Sequence, residues 1–337
     1  LPAAVALRGW RRLAQPLNGA LSRAVDGARL AAFQRRLPAA GGLQLCIIVM
    51  PQTLHFLLPC LALLQGRSSP PPLLLFNGAT AWERRLLRQR LPQWPMFRLL
   101  TLPASSQSHG DVINLLLRHA RADFALVDHD AYVFDPGLWA RLQPAPDDAV
   151  VGVFAQHSGG AGWDYPLTHV LAFNVGALRG LMQRHGVDAR LCHQAPARLA
   201  ENLASVGLGR RRYLKDYQQF HDTLHLLLAL ARADGLNLRF EPLSAAAPVL
   251  HVGGTSIGSH HTKDLFALYI HLRFLALVGD PVIQAHYAAL VRPLRSADAL
   301  RQNHDPADPA WQALPVVDEL MQRLQAAGAG SALNDRL

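Results

Sequence analysis

Four largely apolar runs, the first three each followed by a stretch long enough for a helix, constrain this chain more than any other feature. The runs are Leu45-Cys-Ile-Ile-Val49, Leu73-Leu-Leu-Phe76, Phe97 to Leu102 and Phe124-Ala-Leu-Val127. Strands without polar alternation are buried on both faces, which demands helices on either side of the sheet. Intervening helices are expected over Leu54–Gln65, Ala81–Gln89 and from a cap at Asp111 to about Ala120. Pro51 and Asn77-Gly78 stop the first two strands. The expected class is therefore α/β, with a mostly parallel, Rossmann-like sheet flanked by helices. Such sheets bind ligands beyond the carboxyl ends of their strands. Asp128-His129-Asp130 lies at that end of the fourth run.

Further strands are expected at Ala149–Phe154, Val170–Phe173 and Leu236–Phe240. Helices are expected at Leu178–His185, Tyr217–Ala233, Asp264–Val278 and Val316–Ala326, and a loop after Phe240 leads to Val249–Gly254. Residues 1–40 read as a basic helical arm, because Leu7, Trp10, Leu13 and Leu17 keep helical spacing beside Arg8, Arg11 and Arg12. Pro16 interrupts that pattern. The arm suits packing on the main domain or lying on a membrane surface. The expected organisation is an arm over 1–40, a main domain over 41–262 and a helical extension over 263–337.

With 337 residues, half of them hydrophobic, the chain has ample material for a core. Its formal charge of +9 comes almost wholly from scattered arginines, since Lys215 and Lys263 are the only lysines. They lack the interleaved aromatics of a single-strand groove, so nucleic acid is not an expected partner. Cys46, Cys60 and Cys192 form no metal or disulfide spacing, which suits a reducing compartment. Proline and polar residues break the apolar stretch from Leu43 to Leu64, so no membrane span is read there. The cytoplasm is the expected location, with peripheral contact at the inner face of the membrane.

Two carboxylates at i and i+2 beyond a buried strand are costly unless something neutralises them. A divalent cation bridging a diphosphate is one such partner, and a turn or helix-cap pair is the plain alternative. The surroundings of the triplet favour the first. Ile47-Ile-Val-Met-Pro51, Leu73-Leu-Leu-Phe-Asn77-Gly78, then His109-Gly110, Asn114, Ala120, Asp123-Phe124, Asp128-His-Asp130 and Phe134-Asp-Pro136 resemble the core of family 2-type glycosyltransferases with the GT-A fold. The resemblance spans about Leu43 to Ser256. It implies a nucleotide-diphosphate sugar as donor and a saccharide or lipid-linked hydroxyl as acceptor. It also implies Mn²⁺ or Mg²⁺ as cofactor. Asp130 would be the direct metal ligand, Asp128 would touch ribose or metal, and Pro51, Asn77 and His129 would line the donor site. The family's aspartate before Asn-Gly is replaced by Phe76, which leaves base recognition open.

Asp222, within His221-Asp222-Thr-Leu-His225 at an expected helix start, matches the family's acidic general base, or else is a simple helix cap. The same segment has the spacing of a zinc-protease helix, with Asp where Glu activates water. His251-Val-Gly253-Gly-Thr255-Ser256 resembles the stretch that closes the donor site. It offers an imidazole for metal, glycines for close backbone approach and hydroxyls for phosphate. Trp163, Asp164 and Asn174 are candidates for the acceptor side, with loop anchoring as the alternative. Two rivals remain at this level. A haloacid-dehalogenase-type phosphatase also uses Asp-x-Asp, though on its first strand and with Thr or Val where this chain has Tyr132. A catalytically inactive glycosyltransferase-like binding module is the other.

Overall fold

The computed structural model describes residues 2–37, 42–65, 71–215, 217–253, 255, 265–291 and 314–329. The chain opens with helix α1 (Pro2–Leu21), a π turn over Ser22–Asp26 and α2 (Gly27–Gln34). Strand and helix then alternate through β1 (Gln44–Val49), α3 (Leu54–Leu64), β2 (Leu73–Phe76), α4 (Ala81–Arg90), β3 (Met96–Arg98), α5 (His109–His119) and β4 (Phe124–Val127). Beyond the triplet come β5 (Ala131–Val133), α6 (Leu138–Arg141), β6 (Asp148–Gly152), the hairpin β7 (Ala155–Ser158) and β8 (Trp163–Pro166), and β9 (Val170–Phe173). The remainder is α7 (Val175–His185), α8 (Ala200–Ser205), α9 (His225–Ala233), β10 (Asn237–Phe240), β11 (Val249–His251), α10 (Leu265–Val278), α11 (Pro281–Val291) and α12 (Leu314–Ala326).

Seven strands form one sheet in the order β10-β6-β9-β4-β1-β2-β3. All its neighbours pair in parallel except β9, which runs antiparallel to both β4 and β6. β1, β2, β4 and β9 are buried at nearly every position, as their unbroken apolar sequences require. Separate apolar clusters fill the two faces, so the expected α/β class with a mostly parallel sheet is what the chain adopts. The C-terminal helices α10 to α12 share one cluster with β1 and α3 through Phe274, Tyr287 and Leu324. Two polar ties reinforce that packing: His55 meets His271 at 2.7 Å, and the Tyr287 hydroxyl donates to Glu83 at 2.6 Å.

Several local expectations need correction. α1 continues through Pro16, whose ring forfeits one backbone bond without ending the helix. β3 stops at Arg98. Beyond it the Leu100 and Leu102 amides donate instead to Asp26 and Asn18 of the N-terminal arm. Ser108, not Asp111, caps α5, its hydroxyl accepting from the Asp111 amide. α7 begins earlier than expected because Asn174 caps it. The helix expected from Tyr217 starts only at His225. Leu224 has φ 69°, and His221 pairs in extended conformation with Cys192. Val249 to His251, given no element from the sequence, is a strand paired antiparallel with β5. The expected domain boundary at 262 and the arm's end at 38–41 fall outside the described residues.

Candidate metal and nucleotide-sugar site

Two strand pairings assemble the site at the carboxyl edge of β4. β4 delivers Asp128 and Asp130. β9 runs antiparallel to it with Val127 opposite Val170, so His169 lies beside Asp128, whose amide donates to the His169 carbonyl at 2.8 Å. β11 sets His251 opposite Ala131 and so brings it over the triplet. The amide of Val252 donates to the Asp130 carbonyl at 3.2 Å and locks that register.

The side chains converge accordingly. His169 Nδ1 lies 3.0 Å from Asp128 Oδ2. His251 Nε2 lies 3.6 Å from Asp128 Oδ2 and 3.3 Å from Asp130 Oδ1. The two imidazoles stack at 3.6 Å between centroids, only 18° from parallel. The Thr255 hydroxyl donates to Asp130 Oδ2 at 2.7 Å and sits 2.9 Å from His129 Nε2. Among the described residues, Asp128, His169 and His251 form the one group whose ligand atoms lie close enough together to hold a metal ion. A mixed carboxylate and imidazole set suits a divalent cation of borderline hardness, with Asp130 adjoining it.

Charge balance explains how these groups coexist. Burial alone would raise the Asp130 carboxyl, but His129, His251 and the Thr255 hydroxyl hold it well below the usual carboxylate range. Burial would push His251 down, yet its hydrogen bond to Asp130 and the charges of Asp130 and Asp128 leave it above the ordinary imidazole value. A ring nitrogen facing two carboxylates thus stands where a cation would otherwise sit.

Beside this cluster lies a cavity of about 370 Å³. Ile48 and Met50 form its base, Asn77 and Gln107 one wall, and the triplet with Thr168, His169, His251 and Thr255 the other. His109 also lines it, with a buried Nε2 that has no hydrogen-bond partner. Burial lowers His109 below the ordinary imidazole value, although the Asp128 and Asp222 charges oppose this.

No family model and no curated protein matches the chain. Solved structures with a similar path include a protein described as a glucose-1-phosphate thymidylyltransferase of Bacillus anthracis in complex with a sucrose. That likeness has 6% identity over 77% of this chain and 99% of that one, with a TM-score of 0.38. Another is residues 1–349 of TarS from S. aureus in complex with UDP-GlcNAc, at 12% identity over 86% of this chain and 88% of that one, with a TM-score of 0.35. Identity and superposition are both low, so function is read below from this chain's own residues.

The expected site residues divide into two sets. Asn77, Asp128, His129, Asp130, His251 and Thr255 line the cavity together. Asn77 does so with its amide engaged, accepting from the Gln107 amide at 2.7 Å and donating to the Gln107 carbonyl at 3.1 Å. Pro51 and Gly253 flank the lining without belonging to it, and Ser256 lies outside the described residues. Trp163 is buried as a hairpin anchor, its indole donating to the Val206 carbonyl at 2.9 Å. Asp164 faces His157 on the same hairpin at 2.7 Å, and Asn174 caps α7. None of these three lines the cavity.

Asp222 does not open a helix as expected, because the Leu224 conformation delays α9 to His225. Its carboxylate accepts from the Thr223 amide at 2.8 Å and pairs with Lys215 at 3.0 Å. Burial opposes ionisation there, but Lys215 and that amide hold Asp222 below the usual carboxylate range. The zinc-helix reading of His221 and His225 fails, because His221 precedes the helix and the two do not share a face. Sequence reasoning missed His169 and His109. The first has no local signal, since only the antiparallel return of β9 brings it to Asp128.

Proposed function

We propose that this chain is a metal-dependent glycosyltransferase of the GT-A type, taking a sugar from a nucleotide diphosphate to a hydroxyl acceptor. The observation that carries the reading is the convergence of Asp128, His169 and His251, with Asp130 adjoining, on the rim of a cavity at the carboxyl edge of β4. Such a donor set fits Mn²⁺ or Mg²⁺, which would neutralise the diphosphate and the negative charge that develops on it as it leaves. The cavity beside the cluster has the size of a small-ligand site. The acceptor would be a glycan, a lipid-linked saccharide or another cell-surface sugar.

Asp222 is the candidate base for the acceptor hydroxyl, giving in-line attack and inversion. It is already ionised, and Lys215 must give way for it to take a proton. The metal role divides between Asp130 and Asp128 as ligands, with His251 and His169 completing the set. Asp130 is the more deeply buried carboxylate, held by Thr255.

One observation favours a second reading, a binding module without transfer. Phe76 stands where the resembled family has an aspartate, and the Asn77 amide is consumed by Gln107. A nucleotide base would then be gripped through backbone and shape, with weak base selectivity.

A thermal-shift screen of nucleotide diphosphates and their sugars, with and without Mn²⁺, tests the donor reading. At about a hundredfold excess over Kd, a ligand bound through metal should stabilise the fold by about 2.7 kcal/mol, and only when metal is present. No shift with any nucleotide would remove the proposal. Sugar release or transfer then separates the enzyme from the binding module. For the base, Asp222→Asn should keep the metal-linked shift and lower transfer by roughly 10²–10⁴-fold.

A further inference from the structure

The N-terminal helix is amphipathic in the wrong sense for a helix packed on a protein. Its inward face holds Ala14, Asn18, Ser22 and Asp26, all buried. Two of the polar residues are occupied: Asn18 donates to the Ser105 hydroxyl and the Ser106 carbonyl, both at 2.9 Å, and Asp26 accepts from the Leu100 amide and the Gln107 side chain, also at 2.9 Å. Its outward face carries Leu13, Leu17, Leu21 and Val25, with Leu13 69% and Leu17 55% exposed. Pro16, Ala20 and Ala24 are exposed as well, and Trp10 continues the stripe toward the amino end. Spacings of three and four residues keep these side chains on one side of the helix. Solitary exposed leucines are ordinary, but a continuous apolar stripe beside a buried polar row means that something covers it.

Charge selects the occupant. Residues 1–25 contain Arg8, Arg11, Arg12 and Arg23 and no acidic residue, and the whole chain carries +9. Asp26, the first carboxylate, is buried and paired with Arg29. A second copy seated face to face would bring two such cationic stretches together, and like charges oppose that pairing. An anionic bilayer offers apolar depth for the leucines and counter-charge for the arginines. No helix among the described residues is long and apolar enough to cross a membrane, so the contact is interfacial.

We infer that the stripe Trp10, Leu13, Leu17, Leu21 and Val25 docks this protein on the surface of an anionic lipid bilayer. The inference stands apart from the donor-site reading, because it uses no residue of the cavity cluster. Co-flotation of the full chain with vesicles tests it. Vesicles of phosphatidylcholine alone are compared with phosphatidylcholine and phosphatidylglycerol in equal parts, at low and high salt. Wild-type chain should float with the anionic vesicles, less so at high salt, and weakly with neutral ones. Leu13→Glu with Leu17→Glu should weaken anionic-vesicle binding by roughly a hundredfold, with an unchanged melting temperature because both side chains are exposed. Leu17→Gln alone is the milder probe and should give an intermediate loss. Wild-type chain that stays unbound, or glutamate variants that bind as well as wild type, would overturn the inference. A dimer in solution that the glutamate pair dissolves would overturn it too, in favour of a second copy as the occupant.

Discussion

At the scale of single residues, the cluster around Asp128 is held by mutual need. Asp128 and Asp130 are acceptors only, and His169, His251 and Thr255 supply what donors they have. Replacing Asp128 with Asn, or His251 with Ala, should weaken metal-linked nucleotide binding by at least about a hundredfold, read as loss of the Mn²⁺-dependent thermal shift. His169→Ala should do the same if it completes the metal set, and an undiminished shift would remove it from that set. Lys215 bears on Asp222 in a different way. Its ammonium favours the carboxylate, so Lys215→Met should raise the Asp222 pKa and move the acidic limb of the pH–rate profile upward. A limb that stays in place would argue that Asp222 is not the titrating base. Asp128, Asp130 and His251 were legible in the sequence because the triplet follows a buried run and His251 sits in a glycine-rich stretch. His169 was not. It is adjacent to Asp128 only through the register of β9 on β4, and antiparallel return of a distant strand leaves no local mark.

At the scale of elements, the N-terminal arm supports the cavity lining from behind, through Gln107. Asp26 accepts from Leu100 and Gln107, Asn18 accepts from Leu102, and Gln107 in turn grips Asn77. The segment expected to extend β3 to Leu102 is therefore taken over by side chains of α1 and the π turn, which no propensity of its own sequence could show. Asp26→Ala strands a buried amide, the Gln107 side chain and the Arg29 charge. It should cost about 2–4 kcal/mol in denaturant titration and weaken nucleotide binding at the adjacent wall. Stability without any effect on binding would separate the arm from the site. Gly78 joins the same wall from β2. It has φ +84°, and a Cβ there would lie 2.4 Å from the Ser105 carbonyl oxygen. Gly78→Ala should therefore cost about 2 kcal/mol or more, since neither the backbone conformation nor the neighbouring carbonyl can yield cheaply. The parallel core β1 to β4 with α3 to α5 was legible because each element carries its own period. The start of α9 was not, because the isolated Cys192–His221 pairing and the left-handed Leu224 hold residues 217–224 out of their helical pattern.

At the scale of the whole molecule, buried imidazoles set the response to acid. Burial lowers His225 to about 4, and it pushes His55, His109, His119 and His221 below the ordinary value as well. The folded chain keeps these rings neutral at pH values where the unfolded chain, with imidazoles near 6.5, takes up protons. Below about pH 6.5 the unfolded state thus binds more protons, and stability falls as pH drops. His251 runs the other way, because its raised value adds stability below about pH 6.5 that is lost as pH rises. The lowered rings outnumber the one raised ring, each contributing up to about 1.4 kcal/mol per pH unit where it differs from the unfolded chain. Between pH 7 and pH 5, denaturant titration should therefore show a loss of about 2–4 kcal/mol. The lowered rings lie in separate places, among them His55 on α3 against the C-terminal helices, His109 at the cavity, and His225 at the start of α9. The acid response should consequently be global rather than confined to the site. His225→Phe, which removes one of them, should flatten the profile. A pH-independent stability would show instead that these rings reach solvent or partners in the folded chain.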